Sequence, residues 1–219
     1  MAIKNATIGI IGLGNFGMSI AKELATSGKS IICVDRNEEK VKEILNYCDH
    51  AYITKDLSKE NLEELGFSTC KIVLVSIGKE IDASILTTLN VISLGVEKVI
   101  AKAISDDHGR ILTKLGAQVI FPEKEAAIQL SKVILSKNII DFMSLGNDIE
   151  VTEIVMGPNQ VGKTIIDLSI RNKYSLNVIA LETNGRTTAN VQPNYKIQLN
   201  DKLIVIGEKN DILKFEKSL

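Results

Sequence analysis

The chain has 219 residues, 45% of them hydrophobic and 24% charged, with a formal net charge of −1. That composition supports a packed core and argues against disorder, and balanced charge without a long basic run argues against a nucleic-acid partner. That length allows one large domain, or one large and one small, and three features give the reading of a cytoplasmic protein. Its longest apolar runs, such as Ile72 to Ile77, fall far short of the roughly 20 residues that span a bilayer. No signal peptide is read before the first strand-like segment. Cys33, Cys48 and Cys70 have neither disulfide-framework nor zinc spacing.

Taken in order, Thr7 to Ile11 is an apolar run of strand length, followed at once by Gly12-x-Gly14-x-x-Gly17. Phe16, Ile20 and Leu24 then recur at helical spacing, and Gly28 ends that helix. Ser30 to Val34 reads as a second strand closed by Asp35. Each residue type has a physical role. Gly12 permits the tight turn, Gly14 lets the backbone approach a pyrophosphate, and Gly17 seats the helix close to the strand. The helix start offers free N–H groups to phosphate, and an acid about twenty residues on is placed for ribose hydroxyls. Strand, glycines, helix, strand and acid in one order identify an adenine-nucleotide site of the dinucleotide-binding type. Arg36 has two readings, a solvated helix-start residue or a contact to adenine or ribose phosphate. Asp35 beside it would repel a 2′-phosphate, which favours the first.

Asn37 caps a helix carrying Val41, Ile44 and Leu45, and Ala51 to Thr54 is a third strand. Lys55-Asp56-Leu57 leads to a short helix through Leu62 and Leu65, and Ile72 to Ser76 is a fourth strand ending at Ile77-Gly78. The helix from Asp82 to Leu94 is apolar on several sides, so something must cover it, and a second copy of the chain is one candidate. Lys98 to Ala101 is a fifth strand with Lys102 just past it. A helix from Asp106 and strand Gln118 to Phe121 follow. The regular β–α alternation predicts a doubly wound parallel sheet, with ligand groups at the carboxyl ends of its strands. That rule nominates Asp35, Lys55, Asp56, Ile77, Gly78 and Lys102. His108 has no partner at ligand spacing, so it reads as part of a helix start.

Pro122 opens a helix running from Glu123 to Ser136, and the rhythm breaks over residues 138–148, where a domain boundary is expected. Beyond it are strand Glu150 to Val155, a helix from Ile165 to Arg171, strand Asn177 to Leu181 and a hairpin partner after Asn184-Gly185. Strand Lys202 to Ile206 and a helix from Asp211 complete the chain. This is a small α+β module. Gly157-Pro-Asn-Gln-Val-Gly162-Lys163-Thr164 fits the P-loop pattern GxxxxGK[ST], which would assign Lys163 and Thr164 to phosphates and Mg²⁺. Too few residues follow to complete a nucleotidase sheet, and the next helix is short. The match is read as coincidence.

With both halves in view, the chain resembles the RCK regulators of potassium transport, of the KtrA/TrkA type. In the first half the resemblance rests on IIGLGNFGMSIAKEL, VDRNEEKV, SIGKEIDASILTTLNVISLGVEKVIAKA and LGAQVIFPEKEAA. In the second it rests on VGKTIIDLSIRNKYSLNVIAL, QPNYKIQLNDKLIVIG and DILKFEK. It implies a Rossmann lobe over residues 1–121, a crossover helix and linker over 122–147, and a smaller C-terminal lobe over 148–219. It also implies a homodimer assembling into a ring, an octamer, beneath a membrane potassium-transporting subunit at the inner face of the cell membrane. The nucleotide would be ATP or ADP, with NAD or NADH as the alternative. Its site would use Gly12, Gly14, Asn15, Phe16, Gly17, Asp35, Arg36, Lys55, Asp56, Leu57, Ile77, Gly78, Lys102 and Glu123. Glu123 falls where the family places a carboxylate near the terminal phosphate and a divalent cation. Asn15 departs from the family, whose close members often carry an arginine there. Some members bind cyclic di-AMP between paired C-terminal lobes, which maps onto Ile165, Ile166, Arg171, Asn177 and Pro193.

The function so read is a non-enzymatic, nucleotide-sensing gating subunit. The rivals are an NAD-dependent oxidoreductase and a nucleotide-binding scaffold unrelated to transport. Against the oxidoreductase, no substrate domain and no nucleophile or His–acid constellation is found near the switch point.

Overall fold

The computed structural model describes residues 8–219, apart from the side chain of Lys132, so Thr7 lies outside the described residues. The chain folds into two compact units, the first ending at Lys124 and the second running Glu125–Leu219.

In the first unit, β1 (Ile8–Ile11), β2 (Ile31–Asp35), β3 (His50–Ile53), β4 (Ile72–Val75), β5 (Lys98–Lys102) and β6 (Gln118–Ile120) form one sheet. It alternates with α1 (Asn15–Thr26), α2 (Glu38–Ile44), α3 (Lys59–Glu64), α4 (Ile81–Ser93) and α5 (Asp106–Leu115). The strand order is β3-β2-β1-β4-β5-β6 and every pairing is parallel, as the β–α alternation predicts. Parallel strands covered on both faces read as continuous apolar runs. Ile10, Ile31, Cys33 and Leu74 therefore pack into one core layer, while Ile11, Val34, Val73 and Val75 pack into the other. Side chains start the helices: Asn37 accepts the Glu39 and Lys40 N–H groups, and Ser105 accepts that of His108.

One helix defies its hydrophobic pattern. α4 turns Ser84, Thr87, Thr88 and Val91 inward and leaves Ile81, Leu86 and Leu89 exposed, Leu86 at 60%. Ile85 and Ile92 are partly buried against the same core, so the face left outside is the one that carries Ile81, Leu86 and Leu89.

The second unit contains β7 (Ile139–Gly146), β8 (Ile149–Val155), α7 (Ile165–Leu168), α8 (Ile170–Tyr174), β9 (Asn177–Thr183), β10 (Arg186–Thr188), β11 (Lys202–Glu208) and α9 (Lys209–Glu216). The intervening α6 (Pro122–Leu135) starts before the division and ends beyond it. The second sheet has the order β10-β9-β11-β8-β7, and its pairings are antiparallel. Ile154, Leu203, Val205, Ile212 and Phe215 form its core. Lys202 bonds Glu153 and Glu182 on the two flanking strands, at 2.9 and 2.8 Å.

Two local expectations change here. Residues 139–146 are an edge strand paired with β8 rather than a boundary linker. The helix expected over 165–171 is two short ones, because Ser169 adopts a left-handed conformation (φ +47°) between them. Among the described residues no helix is long and apolar enough to cross a membrane.

Candidate functional site

β1 pairs with β2 on one side and β4 on the other, so the chain leaves the sheet in opposite directions around its carboxyl end. A crevice opens there, and the glycine turn forms its floor. Gly12 has φ +94°, and a Cβ on it would lie 3.1 Å from the Ser76 carbonyl oxygen. A Cβ on Gly17 would lie 2.1 Å from the Gly12 carbonyl oxygen, so only glycine lets α1 begin against the turn. Gly14 differs, with open space around it. It is the N-cap of α1 and supplies no side-chain acceptor, leaving the first-turn N–H groups and the positive helix end free for an anion.

Asp35 ends β2 with its carboxylate largely buried. The Leu13 N–H donates to Oδ2 at 2.6 Å and the Asn37 N–H to Oδ1 at 2.8 Å, while Lys40 Nζ stands 4.0 Å from Oδ2. These bonds fix the group, and an ionised carboxylate still has lone pairs for ribose hydroxyls. Gly12, Gly14, Asp35, Arg36, Lys55, Leu57, Ile77 and Gly78 of the expected set line one cleft of about 500 Å³.

Lys102, Glu123 and Phe16 form a neighbouring cluster. The largely buried Lys102 ammonium pairs with the exposed Glu123 carboxylate and lies 5.9 Å from the Phe16 ring centroid. That hydrogen bond holds the Glu123 carboxyl below its ordinary range. Asn15 and Phe16 are the first two residues of α1, so the cation stands by the helix end that receives phosphate in such folds. Gly17 lies beneath the turn. Asp56 turns away to accept the Ser58 N–H at 2.9 Å, which lowers its carboxyl.

The cleft is also lined by Lys40, Thr54, Ser76, Lys79, Glu80 and Ala83, which the sequence reading did not nominate. A signal existed for several, since Thr54 and Ser76 each directly follow a strand. Among the described residues no three His, Cys, Asp or Glu side chains gather as a metal site. Glu123 therefore does not fit a resident metal by itself.

The P-loop-like segment is closed. Gly162 N–H donates to Ile197 O, Lys163 N–H to Gln160 O and Thr164 N–H to Asp167 Oδ2. Lys163 Nζ bonds Gln160 Oε1 at 3.1 Å, and Thr164 Oγ1 caps α7. No row of free N–H groups remains to hold a phosphate. Nearby, Ile166 N–H donates to Pro193 O, which brings Ile165, Ile166 and Pro193 together. Ile166 and Pro193 are exposed, as are Arg171 at α8 and Asn177 at the start of β9.

The TrkA-N domain matches residues 8–123 and the TrkA-C domain residues 151–219. Ktr system potassium uptake protein C of Bacillus subtilis (strain 168) is 37% identical over 209 residues, covering 95% of each chain. The chain belongs to the Ktr/TrkA family. Ktr system potassium uptake protein A of the same organism is 35% identical to this Ktr/TrkA chain, over 98% of it and 97% of the relative. Its fold is also that of the GsuK RCK domain, with a TM-score of 0.70, 18% identity and 99% of this chain covered. A structure of the GsuK channel bound to NAD matches with a TM-score of 0.69, 18% identity and 99% coverage. This Ktr/TrkA chain spans about half or less of those two, 48% and 40%.

Proposed function

We propose that the chain is a non-enzymatic, cytoplasmic regulatory subunit of a potassium uptake system, gating a membrane potassium-transporting partner according to the adenine nucleotide it holds. The observation that carries this reading is the cleft at the β1–α1 turn, which pairs an open helix N-terminus with a fixed carboxylate at the end of β2. The relatives' names, Ktr system potassium uptake proteins, supply the transport context.

ATP or ADP is the ligand of choice, its phosphates on the α1 N-terminus and its ribose on Asp35; NAD is the alternative, and the GsuK channel bound to NAD has this fold. A divalent ion would come with the nucleotide, because Glu123 alone lacks the partners to hold one. The exposed face of α4 would pair chains into dimers, and dimers into a closed ring, an octamer. In the C-terminal lobe, cyclic di-AMP would set Arg171 against phosphate, Asn177 against the adenine edge, and Ile165, Ile166 and Pro193 against its faces. The exposure of Ile166, Pro193, Arg171 and Asn177, with Ile166 bonded to Pro193, supports that assignment.

Mass spectrometry of ligand released from the purified protein, with calorimetry against ATP, ADP, NAD and cyclic di-AMP, tests the ligand assignments. The expected result is tight binding of an adenine nucleotide, lost in Gly14→Val. Arg171→Ala should weaken cyclic di-AMP binding about tenfold or more. A monomer in light scattering at micromolar concentration would overturn the ring, and failure to co-purify with a potassium-transporting membrane protein would overturn the gating role.

A further inference from the structure

Arg36 directly follows the ribose-facing Asp35, and an arginine there ordinarily accommodates a 2′-phosphate. Here its guanidinium is engaged. Arg36 Nη1 donates to Glu80 Oε1 at 2.6 Å, from the end of β2 across to the residue that precedes α4, and both line the cleft. Glu80 occupies the N-cap position of α4 yet makes no capping bond to that helix. Short polar side chains are the ones that cap a first turn, and glutamate is not among those favoured. This one reaches over the crevice instead.

Both side chains are about half exposed, so the pair adds little to stability. Its effect is on the charge at the mouth. With the guanidinium neutralised, an incoming 2′-phosphate would meet the fixed Asp35 carboxylate and would have to displace that of Glu80. Lys40 stands 4.0 Å from Asp35 and offsets part of its charge, while Lys55 and Lys79 lie exposed on the rim. Rim cations are screened and attract every phosphorylated ligand.

We propose that Glu80 is a specificity-determining residue, holding Arg36 so that the cleft accepts adenosine with a free 2′-hydroxyl and rejects its 2′-phosphorylated counterpart. The proposal rests on the adenine-nucleotide reading of the cleft.

The test displaces labelled ADP from the full-length protein with 5′-AMP and with adenosine 2′,5′-bisphosphate, which differ only in the 2′-phosphate. The wild type should prefer AMP by about tenfold or more, the scale of one charge-assisted contact. Glu80→Gln should shrink that preference several-fold, and adding Arg36→Ala to it should restore the preference through Asp35 alone. The readout is a ratio, so a general change in affinity cancels. An unchanged ratio in Glu80→Gln, or no preference in the wild type, would overturn the role of Glu80 and leave the nucleotide site standing. No ADP binding by the wild type would overturn the site and this proposal together.

Discussion

Two turns in this chain join a strand to a helix with the glycines of a phosphate loop, at 12–17 and at 157–164, and their N–H groups have opposite fates. In the first, α1 starts on a glycine that makes no side-chain cap and itself lines a cleft. In the second, the loop bonds itself, its lysine is held by Gln160, and its helix is capped by Thr164 and Asp167. A glycine pattern supplies room for a bend. Whether the bend binds an anion depends on donors left over once the fold has used the rest.

The strongest way to break this comparison is at Gly17. With Gly12 O only 2.1 Å from any added Cβ, Gly17→Ala should cost on the order of 3 kcal/mol, the upper end for overpacking, and abolish nucleotide binding. Thermal unfolding with and without nucleotide measures both, and wild-type stability in the variant would refute the tight seat. Gly14→Val is the complementary change. Open space surrounds Gly14, so the fold should persist while phosphate loses access. Asp35→Ala should weaken nucleotide binding by about 1.5–3 kcal/mol, the value of a charged acceptor. It should also lower stability, since the Leu13 and Asn37 N–H groups lose their acceptor.

A smaller effect separates the units by pH. The two histidines, His50 and His108, both lie in the first unit. Burial holds the His108 imidazole below its ordinary value of 6.5, so the folded chain keeps it neutral where the unfolded chain takes a proton. Stability of the first unit should therefore fall as pH drops through 6.5 and level off below the folded value. Urea titrations should show that slope flattened in His108→Gln. The smallest effect belongs to the second turn. Lys163→Ala should leave ATP affinity unchanged and alter stability by no more than about 0.5 kcal/mol. Lost ATP binding would reverse the comparison.

How far the sequence carried depended on the distance between cooperating residues. Gly12, Gly14, Gly17 and Asp35 lie within one βαβ unit, where chain spacing nearly dictates spatial position, and all four fall where the motif requires. Glu80 reaches the same cleft from beyond β4, and no local pattern links it to Arg36. The hairpin of β7 and β8 leaves a trace in Gly146, Asn147 and Asp148, all at positive φ, a turn chemistry that sequence alone does not tell from a boundary. Its strand is hard to read from the sequence because β7 is an edge whose side chains are mostly exposed, which leaves no alternation to detect. The orientation of α4 was hidden for a different reason. A helix apolar on several sides does not declare its inner face, and Ser84, Thr87 and Thr88 are buried alongside Val91.

On the proposed nucleotide reading, Glu123 would alter how the first turn meets a ligand. Because Lys102 already holds a carboxylate, a phosphate that recruits the ammonium exchanges one counter-charge for another. The net gain is the difference between two ion pairs, and no naked cation is neutralised. Affinity should then depend less steeply on ionic strength than the number of nearby lysines suggests, and the displaced carboxylate would stand free at the first turn of α6.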